Sequence, residues 1–423
     1  MSKLTWARSS ALKVCREVRS RNAFARPLID RYIHTAVQPG SEQAFATRLV
    51  LGVVSTSGEL DLIIQRALPN NPPEHNLLDA LRISVYEMAF LKKPAYLAVS
   101  QGVELARSIN PHSTGFANWA LHRIAESLTG FPWGNPAADV SALAHLQAFP
   151  AWFAERLIDE LGWDVASEFM SVSNQPAPTF LVDVANNKSL RVNAKELADY
   201  REAIVAGHYL VVDANAQRVA QIAAEQLLKR AEQVKQPTFL EIGSGRGSKT
   251  VLINLAAHRA GCSYHHHALD IHEFKNRLLS ERIRLYGLQG VYPLTGDARK
   301  LSDLVSERRL PAQFDCAFID APCSGSGTLR RHPEIRWALN TLTISSLAAR
   351  AQELLAEVAL HIAKGGSLVY ATCSVMREEN ETTVKRFLRS PIGQLFEQAE
   401  SFRSTLSIGG GDVHYAAVLK RRG

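Results

Sequence analysis

Beyond Lys235, five short apolar runs alternate with helical segments of crossover length: Thr238–Ile242, His267–Ile271, Gly290–Leu294, Phe314–Ile319 and Ser367–Ala371. Parallel strands need such crossovers, because a tight turn can join only antiparallel neighbours. The alternation therefore predicts an α/β fold with a doubly wound parallel sheet. In sheets of this kind ligands bind just outside the carboxyl ends of the strands, so the residues that follow each run carry the information.

The front of the chain reads differently. Up to about Gly130, apolar residues recur at helical spacing in Ala44–Val53, Leu77–Leu91 and Ala117–Ile124. Breaks fall at Pro39-Gly40, Pro69-Asn70-Asn71-Pro72-Pro73, Pro94 and Asn110-Pro111, so this part is expected to be all-helical. A length of 423 residues allows two or three domains. The expected division is a helical domain over 1–130 and a linker over 131–149, where Phe131–Ser141 packs two Pro and a Gly. A pre-sheet subdomain follows over 150–235, with a helical stretch at Pro150–Met170 and a strand at Thr179–Val184, and then the sheet domain over 236–423. No secretory h-region opens the chain and no run is long enough to span a membrane, so a cytoplasmic location is expected.

Net charge is +7, and its position matters more than its total. Met1–Arg31 holds eight basic residues (Lys3, Arg8, Lys13, Arg16, Arg19, Arg21, Arg26 and Arg31) against Glu17 and Asp30, which leaves +6 in this one segment. From charge alone, a solvated helix face and a phosphate-contacting face are equally open.

The first run ends in Glu241-Ile-Gly-Ser-Gly-Arg-Gly-Ser-Lys-Thr250. A strand, a turn with Gly243, Gly245 and Gly247, and then a helix make a nucleotide-cofactor turn, though not the P-loop spacing GxxxxGK[ST]. The second run reaches Asp270, 27 positions after Gly243, where a carboxylate can accept from ribose hydroxyls. The third is followed by Asp297, placed for an adenine amino group. Each Asp alone could be a helix N-cap, but their shared place at successive strand ends indicates S-adenosylmethionine or a nicotinamide cofactor. The His265-His266-His267 run is too short and isolated for a metal site, and reads as incidental to a strand start.

The fourth run ends Asp320-Ala-Pro-Cys-Ser-Gly-Ser-Gly327, followed by TLRRHPEIRW, and the fifth ends Tyr370-Ala-Thr-Cys-Ser374, followed by the acidic helix start Arg377–Glu381. The 5 cysteines form no CxxC pair for zinc, so no metal is expected. Cys15, Cys262 and Cys316 fit the usual place of Cys as a small buried hydrophobe. Cys323 and Cys373 lie in polar turns on the ligand side of the sheet instead.

Through DAPCSGSGTLRRHPEIRW, LVYATCSVMREENE and GDARKL, residues 149–420 resemble the Sun family of RNA (cytosine-5) methyltransferases. Through LVLGVVSTSGELD, LLDALRISVYEMAFL, VELARS and GFANWALHRI, residues 1–130 resemble the RNA-binding antitermination factor NusB. A NusB-like domain fused to this catalytic domain is the layout of bacterial 16S rRNA cytosine-5 methyltransferases. The resemblance implies a Rossmann-like domain, S-adenosylmethionine as cofactor and 16S ribosomal RNA as partner. A monomer acting without metal or membrane is expected.

It also implies roles. Cys373 in TCS would be the nucleophile that adds to cytosine C6, Cys323 in PCS would assist release, and Asp320 would hold the base near N3. Gly243, Ser244, Gly245, Arg246, Gly247, Ser248 and Lys249 would meet the methionine part of the cofactor, with Asp270 on the ribose, Asp297 on the adenine and Asp320 at the same site. Arg330, Arg331, His332 and Arg336 would meet RNA phosphates, although a surface loop can carry such residues for solubility alone. The family turn D-x-C-A-A-P-G-G-K-T is replaced here by EIGSGRGSKT, and LVDVANN (Leu181–Asn187) stands where relatives carry an RVN-type segment. Two rivals remain at this stage. One is a DNA cytosine-5 methyltransferase using Cys323 alone; the other is a non-catalytic RNA-binding factor.

Overall fold

A computed structural model describes residues 4–308 and 310–423; Lys3, counted above in the basic segment, lies outside them. The chain forms two compact units, Met1–Gln175 with Leu329–Ala338, and Pro176–Thr328 with Leu339–Gly423.

The described residues of the first unit form helices and the turns between them, as the periodicity up to about Gly130 predicts. Its main helices are Trp6–Arg21, Gly40–Ser55, Ser57–Ala67, His75–Ala89, Ala95–Ile109 and Thr114–Ser127. Their apolar stripes meet in one core that includes Leu49, Val53, Leu60, Ile63, Leu81, Leu105, Leu121 and Ile124. The expected linker belongs to this unit. Phe131 and Trp133 pack on its core, Trp133 meets His145 edge to face, and His145 Nδ1 pairs with the buried Glu59 at 3.0 Å. The division falls at Gln175 because Val140–Gln147, Ala151–Leu161 and Trp163–Ser173 continue the helical unit, with Gly162 (φ 79°) separating the last two. Apolar aromatic side chains override the Pro-Gly signal here: the segment turns without becoming a tether.

Among the described residues the second unit holds ten strands: β1 (Thr179–Asp183), β2 (Ser189–Val192), β3 (Tyr209–Val211), β4 (Thr238–Ile242), β5 (His265–Asp270), β6 (Val291–Thr295), β7 (Phe314–Asp320), β8 (Ile362–Thr372), β9 (Phe396–Arg403) and β10 (Tyr415–Arg421). β1 to β3 make a small antiparallel sheet in the order β2-β1-β3. The large sheet runs β6-β5-β4-β7-β8-β10-β9, parallel through β8 and antiparallel at β10 and β9. The five expected strands are thus its parallel core, with boundaries shifted by a few residues, and the antiparallel edge was not foreseen. Alternation of period two fills both faces. Phe239, Cys316 and Phe318 enter one core with Val219 and Val251, while Leu240, Ala317 and Ile319 enter the other with Leu355 and Val358.

The sheet order reverses direction between β4 and β7, the place where an open α/β sheet forms its crevice. Among the described residues, no helix is long and apolar enough to cross a membrane.

Candidate active site

The glycine turn leaves β4 and enters the helix Ser248–Arg259. Gly243 has φ 75°, and a Cβ there would lie 2.5 Å from the carbonyl oxygen of Asp320, so only glycine fits. Gly245 has φ 58° and faces open space: a Cβ would find nothing closer than 3.7 Å. Beside it Ser244 is buried, and its Oγ has no partner among the described residues. An open backbone turn next to an orphaned hydroxyl, at a helix N-terminus, fits a polar group of the cofactor. Arg246 is exposed, Gly247 is the N-cap, and Ser248 Oγ accepts from Arg282 at 2.6 Å.

Asp270 ends β5 directly against this turn. Its Oδ2 accepts from the Gly245 amide at 3.0 Å and its Oδ1 from the His272 amide at 2.9 Å. Asp297 follows β6 and realises the capping role: it accepts from the Arg299 amide at 3.0 Å and pairs with the Arg299 guanidinium at 2.6 Å. That hydrogen-bonded pairing outweighs burial and holds its carboxyl below the usual carboxylate range.

Lys249 Nζ donates to Asp320 Oδ2 at 2.7 Å, with the ammonium 16% and the carboxylate 32% exposed. Burial would pull the Lys249 ammonium down, but Asp320 outweighs it, together with the charges of Cys373 and Glu241, and holds it above its ordinary value. Lys249 is therefore a fixed cation beside the sulfurs.

Cys323 and Cys373 meet as their turns leave the adjacent strands β7 and β8. Their Sγ atoms lie 3.4 Å apart, and the Cys373 amide donates to Cys323 Sγ at 3.4 Å. Both are free thiols, since a disulfide needs about 2.05 Å. Cys323 is pushed well above the ordinary thiol range by its hydrogen bond with Cys373, then by burial and by the charges of Cys373 and Glu379. By contrast Cys15 and Cys316 are buried within cores, where burial pushes each thiol up to about 12; Cys262 is only half-buried.

A polar cluster behind the two turns was not anticipated from the sequence. Glu379 Oε1 accepts from the Ser324 amide at 2.6 Å, and Oε2 accepts from the Ser324 hydroxyl at 2.6 Å and from Ser374. Ser326 Oγ lies 3.1 Å from Ser374 Oγ and accepts from the Val375 amide at 3.0 Å. The sequence places Glu379 in an acidic helix start over Arg377–Glu381; the helix begins only at Glu381, and Glu379 is 1% exposed. The histidine run also hides a contact: His266 is fully buried, with Nε2 2.9 Å from Glu241 Oε2, which also accepts from Thr250 at 2.7 Å. Among the described residues no cluster of His, Cys, Asp and Glu is arranged to hold a metal.

The four residues expected to meet RNA lie in Leu329–Ala338, within the helical unit. Arg336 is not held out for phosphate. It is fully buried, its guanidinium donates to the carbonyls of Ser55 (3.1 Å) and Ala148 (3.1 Å) and to Asn174 Oδ1 (2.8 Å), and it stacks 4.0 Å over Phe149. Trp337 Nε1 also donates to Ser55 O, at 2.9 Å. Arg330 is 5% exposed, whereas Arg331 and His332 are half-buried. Two cations of the first helix are likewise turned inward: Arg8 pairs with the buried Glu87 at 2.7 Å and Arg19 with the buried Asp79 at 2.9 Å.

Comparison with known proteins agrees with both units. Residues 209–408 match the family model for the 16S rRNA methyltransferase RsmB/F, and residues 5–126 match that of the NusB family. The chain is 30% identical over 411 residues to MT1451 of Mycobacterium tuberculosis (strain CDC 1551 / Oshkosh), a protein named as a methyltransferase, covering 90% of this chain and 86% of that one. It is 27% identical over 380 residues to the ribosomal RNA small subunit methyltransferase B of Escherichia coli O6:K15:H31, covering 82% of each. The crystal structure of PH0851 shares the fold at a TM-score of 0.76, with 19% identity over 99% of this chain and 100% of that one. With its glycine turn, its strand-end carboxylates and a NusB-family domain in front, the chain belongs to the 16S rRNA methyltransferase RsmB/F family.

Proposed function

We propose that the protein transfers a methyl group from S-adenosylmethionine to C5 of a cytosine in 16S ribosomal RNA, through a covalent bond between Cys373 and cytosine C6. The observation that carries this reading is the pair of free sulfurs 3.4 Å apart, beside the Lys249–Asp320 pair. Methylation of an amine or a ribose hydroxyl gives no use for two adjacent thiols. Carbon methylation does, because C5 of cytosine becomes nucleophilic only when a thiolate has added to C6.

S-adenosylmethionine, when bound, supplies an electrophilic methyl on a sulfonium. Gly243–Lys249 would hold its methionine part, Asp270 the ribose and Asp297 the adenine edge. Cys373 Sγ adds to C6 and pushes its electron pair toward C5, which takes the methyl. Asp320, one-third exposed, would hold the base near N3, its carboxylate accepting from N3–H once the adduct carries a proton there. The C5 proton then passes to water, its electron pair re-forms the C5–C6 double bond as the C6–S bond breaks, and Cys373 departs as thiolate, with Cys323 assisting release. The base must be flipped out or single-stranded to reach these groups.

The test is methylation of 16S rRNA from cells lacking this protein, with labelled cofactor, followed by bisulfite mapping. A single protected cytosine is expected. Label on another base, or on ribose, would refute the reading. The DNA alternative, with Cys323 as sole nucleophile, is disfavoured by the second sulfur and by the NusB-family match.

A further inference from the structure

We propose that Glu379 is a positioning residue: its buried carboxylate joins the Cys323 turn to the Cys373 turn, holds the two sulfurs in contact, and keeps Cys323 as the protonated member of the pair. The proposal rests on the covalent reading above and deepens it, since it names what decides which sulfur attacks.

The turns come from different strands; the Gly327 amide donates to Cys373 O and the Val375 amide to Ser326 Oγ, each at 3.0 Å, and Glu379 is the charged acceptor among these ties. Glu379 accepts from the amide and hydroxyl of Ser324, the residue after Cys323, and from the hydroxyl of Ser374, the residue after Cys373. It is held from behind. Tyr370 OH donates to the Glu379 carbonyl at 2.6 Å, and the neighbouring Asn380 accepts from Thr372 Oγ1 at 2.5 Å and donates to Ser374 O at 2.9 Å. Three donors on one carboxylate are what an ionised acceptor requires.

Burial raises Glu379, and the Ser324 and Ser374 hydrogen bonds oppose that rise. Its charge then lies one residue from Cys323 and disfavours a thiolate there. Cys373 instead interacts with the Lys249 ammonium. Other charged or titratable neighbours are Glu378, whose charge also raises Glu379, Asp320, paired to Lys249, Glu241 and His414 near that lysine, and Tyr370, which burial, Cys323 and Glu379 all hold in its neutral form. The two sulfurs are alike in chemistry but sit in unlike fields. Cys323 is then the S–H donor toward Cys373 Sγ.

The experiment uses the full-length protein without RNA. It is alkylated with iodoacetamide, and modification of Cys323 and Cys373 is followed separately by peptide mass spectrometry. In the wild type Cys373 should react faster. Glu379→Gln keeps the shape and removes the charge, so the Cys323-to-Cys373 rate ratio should rise roughly tenfold, the equivalent of one pKa unit. A Glu379→Asp variant, which restores the charge, should bring the ratio back toward the wild-type value. An unchanged ratio in Glu379→Gln would overturn the proposal.

Should Glu379→Gln fail to fold, Ser374→Ala serves, because it removes one strut and leaves the carboxylate. Closure of the Cys323–Cys373 disulfide by diamide, which takes up the two electrons and two protons of the thiols, should then be several-fold slower than in the wild type. Equal closure rates would overturn the positioning role. Neither readout involves methylation. A protein that alkylates as expected but methylates another position would refute the functional reading alone.

Discussion

Arg336 lies with its guanidinium 4.0 Å over the ring of Phe149 and donates to the carbonyls of Ser55 and Ala148, fully buried in the helical unit. Yet it stands only 13 residues after Cys323, in the segment that follows the PCS turn. Leu329–Ala338 is therefore a built-in part of the helical unit.

Removing that side chain should cost the helical unit. Arg336→Met takes the donor from Ala148 O and Asn174 Oδ1, while Ser55 O keeps Trp337 Nε1, and a loss of about 2–4 kcal/mol follows. All 6 tryptophans (Trp6, Trp119, Trp133, Trp152, Trp163 and Trp337) belong to this unit, so urea denaturation followed by Trp fluorescence reads it selectively. Arg336→Lys should restore little, since an ammonium cannot reproduce the planar fork or the stacking.

The glycine turn separates two kinds of constraint. Gly243→Ala meets the Asp320 carbonyl oxygen and should disturb both the turn and the end of β7. Gly245→Ala meets open space, so the fold should tolerate it at a cost of about 1 kcal/mol for the positive φ. Its methyl group would nevertheless enter the space assigned to cofactor. Calorimetric titration with S-adenosylmethionine should show weakened binding for Gly245→Ala with little change in melting temperature. A wild-type affinity would remove Gly245 from the cofactor site.

Lys249→Ala leaves the Asp320 carboxylate without its cation and takes a positive charge from beside Cys373. Single-turnover methylation should fall by roughly 10²-fold, the order seen when one preorganised electrostatic partner is lost. The circular dichroism spectrum should be unchanged.

Acid should loosen β5 through His267. It packs between the rings of Tyr292 and Phe314, and burial, with the charges of His266 and His265, pulls it down from 6.5 to about 4. Its folded value lies below its unfolded one, so the unfolded state binds the proton more readily. The resulting stability is complete above about pH 6.5 and is lost as pH falls toward 4. The protection of β5 amides, taken relative to the intrinsic exchange rate at each pH, should fall between pH 6.5 and pH 5, and less so in His267→Gln.

Much of this was legible in the sequence, for identifiable reasons. Period-two apolar runs exposed the parallel strands, and Asp270, Asp297, Asp320, Cys323 and Cys373 share a position after strand ends that marks the candidate site. What stayed hidden depends on partners far away in the chain. Glu379 and His266 look like solvated or incidental residues until the fold brings Ser324 and Glu241 to them. Arg336 reads as a phosphate ligand because nothing local reveals the carbonyls of Ser55 and Ala148. The Pro-Gly stretch near Phe131 reads as a linker because docking of Phe131 and Trp133 is a tertiary event.

The central claim is that Cys373 attacks cytosine and Cys323 releases it. Incubation of cysteine variants with 16S rRNA and S-adenosylmethionine, followed by denaturing electrophoresis, tests it directly. Cys323→Ala should accumulate a protein–RNA adduct, while Cys373→Ala should form none and transfer no methyl group. An adduct with Cys373→Ala and none with Cys323→Ala would contradict it.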